Sequence, residues 1–358
     1  LTGPERRNRD QEWRLAMVIP LQGPGGVFGP ACEAVSHLVA RDLNAAGGVL
    51  GREVVIDIVD GGSAPARVAT EVGAMIAAGA VDAVSGWHIS SVRNALAPIV
   101  AGRVPYAYPA LYEGGEGRRD IFCCGETPDR QIFPALRWLR DHLGVRRWFV
   151  VGDDYVWPRS SMAAVRHYAH TLDLEIVGER LVALGSDAMH GVAGAALASG
   201  CDGVLMLLVG QDAIAFNRAC AELGAHDSFI RFSPLMDENM LLASGEEGTR
   251  GLFAAAAYFR SIIGAASMEL IGRYRTMHGT HAPPLSGVAE SCYEGATLLA
   301  HLITKAGRLG DIAPPDRLSY ESPRGTIQFE PRSTVQPVHL AAANTFDFDV
   351  LATLPVRS

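Results

Sequence analysis

The feature that most restricts how this chain can fold is an alternation. Short β-branched and apolar runs recur between longer segments whose apolar residues return every three or four positions. Runs of the first kind suit strands covered on both faces, and segments of the second kind suit the crossover helices that parallel strands need. LAMVIP (15–20), VVIDIVD (54–60), VDAVSGW (81–87), VPYAYP (104–109) and IFCCG (121–125) form one series. RWFVVGDD (147–154), LEIVGERLV (174–182), DGVLMLLVG (202–210) and FIRFSPL (229–235) form a second. The fold class is therefore α/β with two parallel sheets. Two more helical stretches follow, broken at Pro283-Pro284. The alternating segments GTIQFEP (325–331) and VHLAAANTFDFDVLATLP (338–355) then predict antiparallel closing strands.

At 358 residues the chain exceeds a typical single core, so the two series are expected to build two lobes. The net charge of −8 and the absence of long Lys/Arg runs argue against nucleic acid or an anionic membrane as a direct partner. The apolar run VLMLLVG (204–210) is too short to span a bilayer, so no membrane insertion is expected. Residues 1–13 are polar and charged and read as a disordered lead-in without a secretory h-region. The six cysteines contain no CxxC pair and sit mostly in apolar runs, which suits a reducing compartment. These features make a cytoplasmic protein the expectation, with a periplasmic or extracellular one as the alternative if a signal segment preceded Leu1.

In parallel sheets, ligands gather where loops leave the carboxyl ends of the strands. Such ends hold His88 and Ser90 in SGWHISS, Tyr108 and Ala110 in AYPALYEG, and Tyr155 and Trp157 in GDDYVWPRSSM. Each pair is spaced to share one side of an extended chain. The turn GPGGVFG lacks the Lys and Ser/Thr of a phosphate loop and does not fit the dinucleotide register, so it is expected to place helix-start amides near Pro30 at a cleft. No GxSxG, HExxH or paired helical histidines occur, which removes the common hydrolase and metal-site signatures, and no cofactor is implied. Asp153 and Asp154 read as caps for a helix beginning near Pro158.

Taken in order, DLNAAGGVLGREV (42–54), SGWHISSVRNALAPIV (85–100), YPALYEGGE (108–116), DYVWPRSSM (154–162), AAAYFRSI (255–262) and PRGTIQFEP (323–331) resemble the type I periplasmic-binding-protein-like family. Within it the chain looks most like the short-chain amide sensor of aliphatic amidase operons and the amide or urea receptors of ABC transporters. The resemblance implies two Rossmann-like lobes joined by three crossings, a ligand held between them, and no enzymatic activity. It places an N-terminal lobe at 14–126 and 256–326 and a C-terminal lobe at 127–255 and 327–358. The ligand positions it implies are His88, Ser90, Tyr108, Ala110, Tyr155 and Trp157, with Met236 or Asp237 opposite. The chain departs from the amide sensor where His88 and Trp157 replace tyrosine and where Ala110 and Met236 replace threonine, so a more apolar or planar ligand is expected. The implied roles are a cytoplasmic sensor that holds an RNA-binding antiterminator protein or, as the alternative, an ABC substrate receptor for amides, urea or branched-chain amino acids that meets a permease. An enzyme of unknown type is the third reading, with no sequence feature in its favour.

Overall fold

Every side chain from Leu15 to Ile19 is shut off from solvent, as a strand sandwiched between helices and paired on both edges must be. A computed structural model describes residues 11–310, 312, 318–330 and 333–355. Leu15–Ile19 lies in β1 (Glu12–Ile19), which pairs in parallel with β2 (Glu53–Asp60) and β3 (Ala83–Ser85). The sheet continues through β4 (Tyr106–Tyr108) and β5 (Ile121–Cys123), also parallel. The second sheet has a parallel set made of β6 (Arg147–Asp153), β7 (Glu175–Val182), β8 (Gly203–Leu207), β9 (Ile230–Ser233) and β10 (Leu252–Ala256). The run GVLML of β8 is buried at all five positions. Complete burial of one such Leu or Val stabilises the fold by about 1.5–3 kcal/mol.

The closing strands divide between the sheets. β11 (Leu318–Ser322), β12 (Gly325–Glu330) and β13 (Ser333–Val335) extend the first, and β14 (Val338–Asn344) and β15 (Asp347–Leu354) extend the second. The antiparallel pairing expected of this region is present in β11–β12, β12–β13 and β14–β15. The third passage between sheets therefore falls at 336–337 and not near 327, since Ile327 pairs with Tyr320 inside the first sheet. An alternating strand carries no mark of which sheet it joins, so the sequence could not locate that passage. The expected lead-in also shortens, because Glu12 and Trp13 belong to β1 and Trp13 is fully buried. Residues 1–10 lie outside the described residues.

Local chemistry sets the helix ends that matter to the cleft. Ser286 Oγ accepts the Ala289 amide at the start of the helix Gly287–Ala306, and Asp237 Oδ1 accepts the Met240 amide at the start of Glu238–Ser244. Each cap is worth about 1 kcal/mol. Helix Gly287–Ala306 packs on Gly29–Ala45 and on β3 and β4. Across the cleft, helix Ser90–Val100 packs on Val156–Leu172, and helix Gln211–Glu222 packs on the turn Pro24–Phe28. At the second of these contacts Gly210 holds φ 47° and ψ −110°, and a Cβ there would lie 2.1 Å from Pro24 O. Backbone meets backbone at that point, so the two sheets' loops are in the closed arrangement.

Candidate functional site

The carboxyl ends of β3 and β4 bring His88, Ser90, Tyr108 and Ala110 to one edge, as the sequence pattern predicts. Gly86 permits this, because its φ is 114° and a Cβ would lie 2.3 Å from Val18 O. The chain thus leaves β3 pressed against β1. His88 is fully buried, with Nδ1 3.0 Å from Val18 O and Nε2 2.5 Å from the Tyr106 hydroxyl. A carbonyl can only accept, so Nδ1 carries the proton and Nε2 accepts from Tyr106. Burial, and secondarily the Arg93 charge, pull the His88 pKa down to about 4, against the Val18 hydrogen bond, and the ring is neutral. Tyr108 in turn donates to His88 O at 2.7 Å. Arg93 lies over both Tyr108 (5.2 Å) and Tyr112 (5.3 Å) and pairs with Glu113. The His88 ring has no nitrogen left for a ligand, and Tyr108 has already used its proton. The Ser90 hydroxyl is buried with no hydrogen-bond partner.

On the second sheet, Tyr155 occupies the N-cap of helix Val156–Leu172 without a side-chain cap, so Asp153 and Asp154 do not cap this helix. Asp154 instead pairs with Arg159. Asp153 is fully buried and accepts the Val209 amide at 2.7 Å, while Asp212 accepts the Gly185 amide at 2.7 Å. Burial, reinforced by the Asp212 charge, pushes Asp153 up to about 9, so it is protonated at neutral pH. A helix-start pattern could not anticipate a partner 59 residues away. Trp157 is 2 % exposed and packs in the hydrophobic core, with its ring centroid 6.3 Å from that of half-buried Tyr155.

A narrow pocket, about 460 Å3 when the open solvent at its mouth is included, lies where both sheets' loops meet the passages between them. From the predicted set its wall takes Ala110, Met236 and Asp237. His88, Ser90, Tyr108, Tyr155 and Trp157 surround the edge but do not line it. The rest of the wall combines apolar surface (Trp87, Leu111, Tyr258 and Phe259) with the polar groups of Glu126, Gln131, Glu238, Ser291 and Arg324. Glu238 Oε1 accepts the Arg260 amide at 2.9 Å, while Oε2 is buried and unpartnered. Burial, and then the neighbouring Asp237 charge, raise Glu238 to about 8, so it keeps its proton at neutral pH. With Oε1 engaged as an acceptor, that proton belongs on Oε2. The adjoining Asp237 carboxyl, its pKa raised by burial, is held by Ser286, Asn239 and the Met240 amide. The wall thus offers an unused donor on Glu238 beside the Asp237 carboxyl. A second cavity, about 580 Å3 with its mouth included, lies beyond Trp87, lined by Gln22, Gly61–Pro65, Leu184 and Val209.

Sequence reasoning missed Glu126, Glu238 and Arg324. Glu238 adjoins a predicted contact, and Arg324 stands in the quoted stretch PRGTIQFEP, but neither segment shows periodicity that points its side chain to a cleft. Among the described residues no group of three His, Cys, Asp or Glu could hold a metal ion, and no helix is long and apolar enough to cross a membrane. All six cysteines are free and buried.

The sequence model of the family described as periplasmic binding protein matches residues 12–345. Among solved structures, a solute-binding protein of an ABC transporter from Rhodopseudomonas palustris BisB5, in complex with 3,4-dihydroxybenzoic acid, superposes with a TM-score of 0.84 at 19 % identity over 97 % of this chain and 98 % of its own. The branched-chain amino acid transporter substrate-binding protein LivJ from Streptococcus pneumoniae, in complex with isoleucine, gives 0.84 at 17 % identity over 96 % of this chain and 99 % of its own. An ABC transporter substrate-binding protein from Sphaerobacter thermophilus gives 0.79 at 21 % identity over 96 % and 98 %.

Proposed function

The chain belongs to the periplasmic binding protein family and is a non-enzymatic ligand-binding protein, and from that premise we propose that it is the solute receptor of an ABC transporter, working outside the cytoplasmic membrane and delivering its ligand to a permease. The ligand we propose is a small neutral solute that joins a planar carboxamide or urea group to an apolar body. One observation carries this choice: the unpartnered, buried Glu238 Oε2 beside the Asp237 carboxyl, both on residues of the cavity wall. An unpartnered buried polar atom costs about 1–3 kcal/mol. A carboxamide offers a carbonyl to the Glu238 proton, which removes that penalty, and an N–H to the neighbouring Asp237. The similar solved structures hold aromatic acids and isoleucine. A free carboxylate here would face the Asp237 charge and supply no N–H, which makes the aromatic acids the poorer fit. The antiterminator-bound sensor of the cytoplasm has no comparable support, since the similar structures named as transport proteins are receptors.

The test is calorimetric titration of benzamide and benzoate against the parent and Asp237→Asn. Asn caps a helix as well as Asp, so the variant is expected to melt within about 0.5 kcal/mol of the parent. Benzamide is expected to bind the parent at least tenfold tighter than benzoate, and Asp237→Asn to weaken benzamide by roughly tenfold, about 1.4 kcal/mol. Tighter binding of benzoate by the parent would overturn the proposed ligand class.

A further inference from the structure

Arg324 is 4 % exposed and lies in the turn between β11 and β12, in the wall of the narrow pocket. Its guanidinium is held on two sides. Nε donates to Glu290 Oε2 at 2.6 Å, and Nη1 donates to Gln336 Oε1 at 3.2 Å and more weakly to Cys124 O at 3.4 Å. Among the described residues Nη2 makes no hydrogen bond. A guanidinium has five donors in a fixed plane, and fixing three of them aims the remaining two, both on Nη2. Cys124 O also accepts from Thr334 Oγ1 (3.1 Å) and Gln336 Nε2 (3.0 Å), so the same few atoms tie the first passage between sheets to the third. The first is tied to the second where Glu126 accepts the Ala257 amide at 2.6 Å. The fork is therefore pre-positioned at the point where the lobes pivot, without reorganising when a ligand arrives.

The charge around the fork decides what it can take. Glu290, Glu294 and Glu126 all act on Arg324. Glu290 is completely buried, and its Oε1 lacks a partner, as does Oε2 of Glu294. The guanidinium is already offset by carboxyl groups, so the region carries no surplus positive charge to attract an anion. It does carry an unsatisfied donor. A neutral acceptor answers that need without bringing further negative charge.

We infer that Arg324 is a specificity-determining residue, whose free Nη2 donates to the carbonyl oxygen of a neutral ligand and selects against ligands that present N–H groups or a carboxylate at that end. This rests on the proposed ligand-binding cavity and assigns the acceptor half of recognition to the pivot, while Asp237 holds the donor half.

The probes are benzamide and benzamidine, which share a planar body and an N–H face; where benzamide carries a carbonyl oxygen, benzamidine, a cation at neutral pH, carries a second N–H group, and its charge is repelled by the Arg324 guanidinium and attracted by the carboxyl groups around it. Titrations are run on the parent, on Glu290→Met with Arg324→Met, and on Arg324→Lys. The double variant removes the buried Arg324–Glu290 pair as a unit, so neither of these two is left charged without the other. Lys keeps a cation for Glu290 without the second terminal nitrogen. The parent is expected to favour benzamide over benzamidine by at least tenfold, and both variants to reduce that ratio by tenfold or more while circular dichroism shows a folded chain. A ratio unchanged in Arg324→Lys, or in the double variant, overturns the role of Arg324 and leaves the carboxamide reading standing. Parent binding of benzamidine as tight as benzamide also overturns it. Binding of neither probe at millimolar concentration overturns the cavity reading and this inference together.

Discussion

The two sides of the cleft spend their polar atoms differently. On the β3–β4 side, His88, Tyr106, Tyr108 and Val18 O close on one another, although the hydroxyls of Ser85 and Ser90 beside them stay unpartnered. On the side of β9 and the passages, Asp237, Glu238 and Arg324 each use part of their hydrogen-bonding capacity within the protein; Glu238 Oε2 is buried without a partner, and among the described residues Arg324 Nη2 makes no hydrogen bond. Buried polar groups in native proteins are nearly always paired. A closed inventory therefore marks a residue that builds the wall, and an open one facing space marks a residue that awaits a ligand. Position at a strand end does not distinguish the two. His88 and Asp237 both occupy one.

The largest effect expected from this contrast is on His88. Replacing it with Ala orphans Val18 O and the Tyr106 hydroxyl in a dry core and opens a void, which should cost about 3 kcal/mol or more of stability. A urea melt reads the loss. Benzamide affinity measured on the folded fraction should stay within about threefold of the parent, a span of less than 1 kcal/mol. If affinity collapses with stability intact, the closed side of the cleft is the recognising side, and the contrast is reversed.

Gly210 tests whether recognition on the open side requires the lobes to meet. A Cβ at this position would lie 2.1 Å from Pro24 O, and a non-glycine residue also resists positive φ. Gly210→Ala should hold the lobes apart, weaken benzamide by roughly tenfold, or about 1.4 kcal/mol, and enlarge the radius of gyration of the liganded protein. Small-angle scattering with saturating benzamide checks the last point. An unchanged radius together with unchanged affinity would mean that the contact is incidental.

The sequence made the scaffold and half of the site legible for a physical reason. Burial on two faces demands apolar β-branched runs, so β1, β6 and β8 announced themselves, and strand ends follow from strands. Ala110 was reachable by that route, Met236 and Asp237 only through the family resemblance, and all three line the cavity. Arg324 and Glu126 were not reachable, because what matters about them is a partner distant in the chain. Glu290 lies 34 residues before Arg324, and Ala257 lies 131 residues after Glu126. His88 was misjudged for the complementary reason. An imidazole at a strand end looks available until its neighbours are known to consume both nitrogens. Trp157 shows the same in apolar terms, since an aromatic after a strand can fill the core as well as face a solute.

Asp153 sharpens the contrast because it falls between the two kinds. Beyond the Val209 amide its carboxyl meets only that of Asp212, with which it shares a proton, and Asp153 lines neither cavity. A shared proton without space for a ligand should appear as pH-dependent stability and not as recognition. The folded chain holds the Asp153 proton up to about pH 9, whereas an unfolded chain releases it near pH 3.9. The folded state therefore binds more protons between those values, and stability falls as pH rises through that window and levels off above it. Asp153→Asn keeps an acceptor for the Val209 amide and removes the ionisation that sets Asp153 against Asp212. The variant should match the parent near pH 4 and become more stable with rising pH, by on the order of 1–3 kcal/mol at pH 8.5. Thermal melts across pH 4 to 9 give the difference curve, and benzamide titrations at the same pH values should show no change in affinity. A flat difference curve would place the shared proton elsewhere. An affinity that follows the curve would mean that Asp153 speaks to the ligand after all, and that a shared proton marks recognition even where no cavity reaches it.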